Sequence, residues 1–99
     1  ELLCLIAGAP DLVARMVRRE LGGLCSADKN VTQVRETVLA LFDNGQRVDE
    51  VADQLFVHKN TVRYRMARAE ELIGHPLTER TAFIDLALRY VDMFGAPES

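Results

Sequence analysis

The stretch DEVADQLFVHKNTVRYRMARAEELIG, residues 49–74, decides how this chain folds. Its apolar residues recur at helical spacing in two runs, so the pattern predicts a short helix over 49–56 and a longer helix over 59–73. Residues 56–58 interrupt the periodicity between the two runs. Two helices joined by so short a break are typical of a helix-turn-helix motif.

Residues suited to helix ends support these boundaries. Asp49 is the predicted N-cap of the first helix, since its carboxylate can accept a hydrogen bond from a free backbone N–H. Gly74 fits the end of the second helix because glycine adopts left-handed backbone angles without strain, and Pro76 prevents continuation.

The second predicted helix has two contrasting faces. Turning about 100° per residue from Val62 places Met66, Ala69 and Ile73 on the same, inward side. Between residues 58 and 69 the chain has four Lys/Arg residues and no Asp or Glu. The residues on or near the outward side are Asn60, Arg63, Tyr64, Ala67 and Arg68, flanked by Lys59 and Thr61.

This outward face has the groups needed to bind DNA in the major groove. Arginine and asparagine can form paired hydrogen bonds with base edges, whereas lysine and threonine can hold phosphates. We predict that the base-reading residues are Asn60, Arg63 and Tyr64. We predict that the phosphate contacts are made by His58, Lys59, Thr61 and Arg68. Arg65 lies nearer the core side, where we expect a salt bridge within the domain or a phosphate contact at the edge of the site.

The run VHKNTVRYRMARAEELIG, residues 57–74, resembles the C-terminal helix-turn-helix domain of PucR/CdaR-type bacterial transcriptional regulators. The resemblance covers about 34–88 and includes the preceding VRETVLALFDNGQRVDEVADQLF. Phe56 stands where relatives often have His, and Lys59 stands where they often have Arg. A lysine at this position cannot bind phosphate with the two-pronged geometry of a guanidinium. The resemblance implies DNA binding by a transcription factor, usually with a ligand-sensing region upstream.

A further helix over 31–42 completes a trihelical helix-turn-helix core together with the helices over 49–56 and 59–73. Asn44 and Gly45 end it, because both residue types tolerate positive φ. Its predicted buried residues are Val34, Val38, Leu41 and Phe42. Its predicted exposed residues are Gln33, Arg35 and Glu36.

An N-terminal and a C-terminal helix flank this core in the predicted all-α fold. The N-terminal helix covers about 10–21, and the C-terminal helix covers about 79–93 with Thr78 as its N-cap. Residues 1–7 form an apolar run that could be the end of a helix or a strand. The predicted inward residues of the N-terminal helix are Leu12, Val13, Met16, Val17, Glu20 and Leu21.

The C-terminal helix is apolar on more than one side. Its own domain and either the 10–21 helix or a second subunit must therefore cover it. We predict a homodimer, which would present two recognition helices about one turn of DNA apart. The predicted dimer interface consists of Phe83, Leu86, Tyr90, Val91 and Phe94.

We predict two parts in the chain. Residues 1–30 form an N-terminal helical segment and linker, and residues 31–94 form the helix-turn-helix DNA-binding domain. The sequence has no initiator Met, so we expect it to be the C-terminal piece of a longer protein. An effector is then expected to bind an upstream region outside this chain.

Charge and hydropathy are consistent with a DNA-binding protein of the cytoplasm. The net charge of the 99 residues is −3, but a basic helix on an acidic body can bind DNA locally while the body limits non-specific adhesion. The apolar run 1–7 is too short to span a bilayer and no signal peptide is recognisable, so we predict no membrane association.

The sequence offers no pattern typical of an enzyme. Cys4 and Cys25 lack metal-ligand spacing and are predicted to be reduced, buried thiols. His58 and His75 have no partner at the spacing of a catalytic triad or a metal site, and His58 is better suited to cap the recognition helix. We predict no catalysis, no cofactor and no metal.

Two alternative functions remain open at this point. The basic face over 59–69 could dock an acidic protein, or the chain could be the DNA-binding part of a recombinase or sigma-like protein. A groove-reading domain loses affinity steeply with salt and still prefers one duplex sequence, whereas a protein-docking face has no DNA preference.

Overall fold

Residues 10–95 are described by the computed structural model, and this part of the chain is helical and contains no strand. The predicted all-α fold is confirmed. The apolar run 1–7 and the thiol of Cys4 lie outside the described residues. The elements in chain order are α1 (Pro10–Leu21), a 3₁₀ turn (Gly22–Leu24), α2 (Lys29–Asp43), α3 (Val48–Leu55), α4 (Lys59–Ile73) and α5 (Thr81–Phe94).

Helices α2, α3 and α4 form the predicted trihelical core. Apolar side chains from all three helices meet in one cluster, and half-buried side chains such as Val57 and Met66 pack around it. α4 is thereby held by two neighbouring helices at once. The buried members of the cluster are Ala40, Leu41, Val51, Ala52 and Val62.

A second apolar cluster joins α1 and α5 to the N-terminal half of α2 and the C-terminal half of α4. α1 covers one apolar side of α5. The sequence had required either the 10–21 helix or a second subunit at this side, and the first of these is observed. The boundary at residue 30 stays a prediction, and residues on both sides of it contribute to this cluster. The buried residues that α1 and α5 contribute are Val13, Val17, Leu21, Ile84, Ala87, Leu88 and Val91.

The N-caps predicted at Asp49 and Thr78 are wrong. Arg47 precedes α3, so Asp49 lies in the first turn, where its negative charge still complements the helix dipole. Arg80 precedes α5 and has left-handed backbone angles, with φ 56°. This left-handed residue separates α5 from the preceding turn, and its guanidinium donates hydrogen bonds of 2.9 and 3.0 Å to the Glu20 carboxylate of α1.

Several predicted burial states are also wrong. Leu12 and Met16 are 55% and 51% exposed, because α1 turns only one narrow stripe toward α5. Arg35 is 8% exposed although its position on α2 predicted an outward side chain. The chain before α2 folds back over it, and Arg35 donates hydrogen bonds to the carbonyl oxygens of Leu24 and Ser26. Gln33, predicted exposed, and Phe42, predicted buried, are both half-buried.

Candidate nucleic-acid interface

The turn that leads into α4 is set by Phe56. Its backbone is left-handed, with φ 58° and ψ 42°, and its side chain is 93% exposed. The next N–H, that of Val57, donates to the carbonyl oxygen of Ala52 at 3.0 Å. This closes the last turn of α3 and lets Val57 pack against the apolar cluster below. A residue other than glycine therefore makes the sharp change of direction between the two helices.

His58 caps the N-terminus of α4. The backbone N–H of Asn60 donates a hydrogen bond of 3.1 Å to the Nδ1 atom of His58. Because Nδ1 accepts this bond, the ring proton is on Nε2, which remains a donor at the exposed end of the helix. The cap predicted for His58 is confirmed, and its contact with phosphate stays a prediction.

The inward side of α4 is the one the periodicity predicted. Val62 and Ala69 are fully buried, and Met66 and Ile73 are half-buried against the two clusters. Gly74 ends the helix with φ 87°, in the left-handed region predicted for it.

The three predicted base-reading residues lie together on the outward side of α4. Asn60, Arg63 and Tyr64 are all exposed, and the phenol side chain of Tyr64 is 68% exposed. The Arg63 guanidinium donates to the Asn60 side-chain oxygen at 3.2 Å. This bond holds two of the side chains over the same turn while other donors of both remain available for a base edge.

Carboxylates accompany two of the predicted phosphate contacts. Lys59 Nζ lies 3.4 Å from an Asp49 oxygen, and Arg68 Nη1 lies 2.6 Å from a Glu71 oxygen. All four side chains are well exposed, so each ion pair contributes little stability and can exchange for a stronger anion. Thr61, the remaining predicted contact, is half-buried.

Arg65 lies between α4 and α2. Its two terminal nitrogens donate hydrogen bonds to the Thr37 hydroxyl at 3.2 Å and the Gln33 side-chain oxygen at 3.5 Å. The salt bridge predicted for Arg65 is therefore replaced, within residues 10–95, by hydrogen bonds to neutral groups. Its positive charge is not neutralised by these partners.

The comparison with known proteins identifies the family. Residues 34–90 match the model of the PucR C-terminal helix-turn-helix domain. The chain belongs to this family of transcriptional regulators. The predicted resemblance is confirmed, and the family is a class of regulators, not of enzymes.

Curated relatives of this PucR-family domain include regulators from two bacteria. The chain is 36% identical over 62 residues to the transcriptional activator PmfR of Paenarthrobacter nicotinovorans. The aligned residues make up 63% of this chain and 13% of PmfR. It is 34% identical over 71 residues to the purine catabolism regulatory protein of Bacillus subtilis, with 70% of this chain and 13% of that protein covered.

An uncharacterised protein of Mycobacterium tuberculosis is also similar, with 41% identity over 59 residues, 59% of this chain and 14% of that protein. The PucR-family chain thus spans about one seventh of the length of the relatives it matches. No solved structure matches it significantly.

Four of the five predicted dimer residues of this PucR-family domain lie next to one another, and Val91 is in the core. Phe83 and Phe94 are 54% and 56% exposed, and Leu86 and Tyr90 are half-buried beside α1. Val91 is 5% exposed and lies in the core cluster of its own chain, so it has no surface to offer a partner.

No group of three or more His, Cys, Asp or Glu residues between 10 and 95 could hold a metal ion. No helix within those bounds is long and apolar enough to cross a membrane. Cys25 is a free, half-buried thiol; burial raises its pKa, and the nearby charges of Arg35 and Arg18 offset part of that rise.

Sequence reasoning missed the segment Ser26–Gln33, which lies beside the flank of α4 that carries Thr61, Arg65 and Arg68. The pattern identified part of this segment as a linker. Only the packing of α2 against α4 brings Gln33 within hydrogen-bonding distance of Arg65, and no local signal in the chain predicts that contact.

Proposed function

We propose that this PucR-family domain binds double-stranded DNA with sequence specificity and inserts α4 into the major groove. The observation that carries the proposal is the exposed outward side of α4, which combines amide, guanidinium and phenol groups on a helix held by two neighbours. In this role the base edges are read by Asn60, Arg63 and Tyr64.

The phosphate backbone is held around this reading face. Lys59 and Arg68 exchange their exposed carboxylate partners for phosphates, and the Thr61 hydroxyl and His58 Nε2–H donate further hydrogen bonds. The N-terminus of α4 adds its own partial positive charge. Arg65 contributes a phosphate contact at the edge of the site.

The wider biological role is part of the same proposal. Two relatives are named as a transcriptional activator and a purine catabolism regulatory protein, which supports a role in controlling transcription in the bacterial cytoplasm. The domain works as a homodimer, and an effector binds an upstream region outside the chain. Paired recognition helices require a two-part operator with half-sites about one helical turn apart.

Selection of bound duplexes from a random pool tests the proposal. Repeated rounds with the 99-residue chain are expected to enrich one shared sequence. Binding to the selected duplex should then weaken steeply between low and physiological salt, with a log–log slope of about −0.9 for each phosphate contacted.

The matched control is a duplex of the same length and base composition in scrambled order. It should bind more weakly at every salt concentration, because only base contacts distinguish the two sequences. A pool that stays random after selection, together with equal affinity for both duplexes, would reject sequence-specific reading. Absence of DNA binding at low salt would favour docking of an acidic protein on the same face.

A further inference from the structure

The two flanks of α4 differ in what lies beside them. Lys59 is on the flank next to α3, where it pairs with Asp49. Arg65 is on the opposite flank, next to α2, where it contacts Thr37 and Gln33. Because a helix in the major groove has a phosphate strand on each side, each flank of α4 faces one strand.

The α2 flank borders an open cleft of about 750 Å³. One wall is α4, and the other wall is the segment Ser26–Gln33 with the first turns of α2. The residues that α4 contributes are Thr61, Tyr64, Arg65 and Arg68. The polar residues of the opposite wall are Ser26, Asp28, Asn30 and Gln33.

The charges in this cleft favour an anion at its α4 wall. Among residues 10–95, the hydrogen-bond acceptors of Arg65 are the neutral Thr37 and Gln33, so its charge is available to a ligand, and Arg68 pairs with the exposed Glu71. Asp28 supplies the negative charge of the opposite wall, and its carboxylate is occupied in capping α2, where it accepts from the N–H of Asn30 at 2.8 Å.

We propose that this cleft receives the second phosphate strand of the DNA, with Arg65 and Arg68 on one side and the Asn30 amide on the other. The segment Ser26–Gln33, which precedes residues 34–90 of the family match, thereby becomes part of the DNA-contacting surface. The inference rests on the proposed function of α4, since it places α4 in the groove between the two strands.

Two isosteric substitutions in the cleft test this inference in opposite directions. Asp28→Asn keeps the α2 cap, because Asn caps as well as Asp, and removes a negative charge from the cleft. It should lower the dissociation constant roughly two- to fivefold at low salt, equally on selected and scrambled duplexes, with the gain shrinking as salt rises.

Gln33→Glu places a carboxylate against Arg65 and should engage its guanidinium within the domain. We expect the dissociation constant to rise roughly three- to tenfold on both duplexes, because an internal ion pair and an added negative charge both oppose phosphate binding. Fluorescence anisotropy with labelled duplexes over a series of salt concentrations measures both variants.

Two control substitutions separate the cleft from net charge. Glu79→Gln makes the same charge change as Asp28→Asn at an exposed position before α5. Gln54→Glu, on α3, adds the same charge as Gln33→Glu. Its new carboxylate can still accept the hydrogen bond that the Asn44 side chain donates to Gln54. Both should shift the dissociation constant less than twofold.

The outcomes distinguish this inference from the proposed function. If both cleft variants match their controls, or if only one departs from its control, the cleft does not hold the second strand. In that case, if the unmodified chain still binds DNA specifically and Arg63→Ala loses this specific binding, the proposed role of α4 stands. If the unmodified chain binds no DNA, both proposals fall together.

Discussion

Phe56 carries backbone strain in the turn between α3 and α4. Its φ of 58° lies in the left-handed region, which costs a residue with a side chain roughly 1–2 kcal/mol, and its 93% exposed ring recovers little of this through burial. Backbone strain supports an argument only where an unusual backbone conformation is observed, and the positive φ of Phe56 is such an observation. The aromatic ring is therefore not explained by the stability of the turn.

Phe56→Gly should stabilise the domain. Glycine adopts the observed backbone angles without strain, although it also gains freedom in the unfolded chain, so the expected increase in the free energy of unfolding is about 1 kcal/mol. For a domain of this size that raises the melting temperature by roughly 4–8 °C, measurable by circular dichroism.

Phe56→Ala is the matched control, because it removes the same ring and keeps the left-handed strain. It should change the melting temperature much less than the glycine variant. Equal stabilisation by both variants would show that removing an exposed aromatic ring, not relief of backbone strain, is the cause.

At the scale of the elements, Arg35 ties the chain before α2 to the helix itself. Its guanidinium donates to the Leu24 carbonyl at 2.9 Å, to the Ser26 carbonyl, and to the Thr32 hydroxyl at 3.1 Å. Burial lowers the pKa of Arg35 from its ordinary value, and the nearby Cys25 and Glu36 offset part of that decrease.

Arg35→Met should therefore destabilise the domain although it preserves most of the apolar volume. Hydrogen bonds from a charged donor are lost and buried carbonyl oxygens lose their partner, at a cost of roughly 2–4 kcal/mol in the free energy of unfolding. Urea denaturation measures the difference. Lys29→Met, which removes an exposed cation from the first turn of α2, should change stability by less than about 0.5 kcal/mol, and a similar loss in both variants would contradict the role of Arg35.

Local signals explain which elements could be predicted from the sequence. The bounds of α4 were correct because its start and end are encoded by His58 and Gly74 within the chain itself. The start of α5 was wrong because no local signal indicates the left-handed backbone of Arg80, which accompanies a contact with Glu20, 60 positions away. The burial of Arg35 escaped prediction for the same reason, since helical periodicity contains no information about a segment that folds back.

The candidate site likewise has one part that the sequence predicts and one part that it does not. Helical periodicity was enough to bring Asn60, Arg63 and Tyr64 to one exposed side, because all three lie on a single helix. It could not identify the cleft beside Arg65, whose second wall comes from Ser26–Gln33 and requires the packing of α2 against α4.

At the scale of the whole molecule, an exposed apolar groove between α1 and α5 is the surface most suited to the proposed dimer. Met16 and Phe83 line it and are 51% and 54% exposed, and Leu86 and Tyr90 lie half-buried beside them. The Arg80 guanidinium lies 4.5 Å from the centre of the Phe83 ring. A two-fold related copy would cover these side chains in both subunits at once.

Phe83→Glu should dissociate this dimer, because it removes an aromatic ring from the interface of each subunit and places a carboxylate there, and the neighbouring Arg80 offsets the cost of burying that carboxylate only in part. Sedimentation at micromolar concentration is expected to give a dimer for the unmodified chain and a monomer for the variant. Met93→Glu, an equally exposed apolar position of α5 outside the groove, is the control and should remain dimeric. If the unmodified chain sediments as a monomer, the proposal that this chain forms a dimer is contradicted.

The central claim is that the outward side of α4 reads base edges while its neighbours hold phosphates. The most direct test compares Arg63→Ala with Lys59→Ala on the selected and the scrambled duplex. Arg63→Ala should cost roughly 1–3 kcal/mol on the selected duplex and much less on the scrambled one, whereas Lys59→Ala should weaken both equally and reduce the salt slope by about one. Equal losses on both duplexes for both variants would contradict the claim.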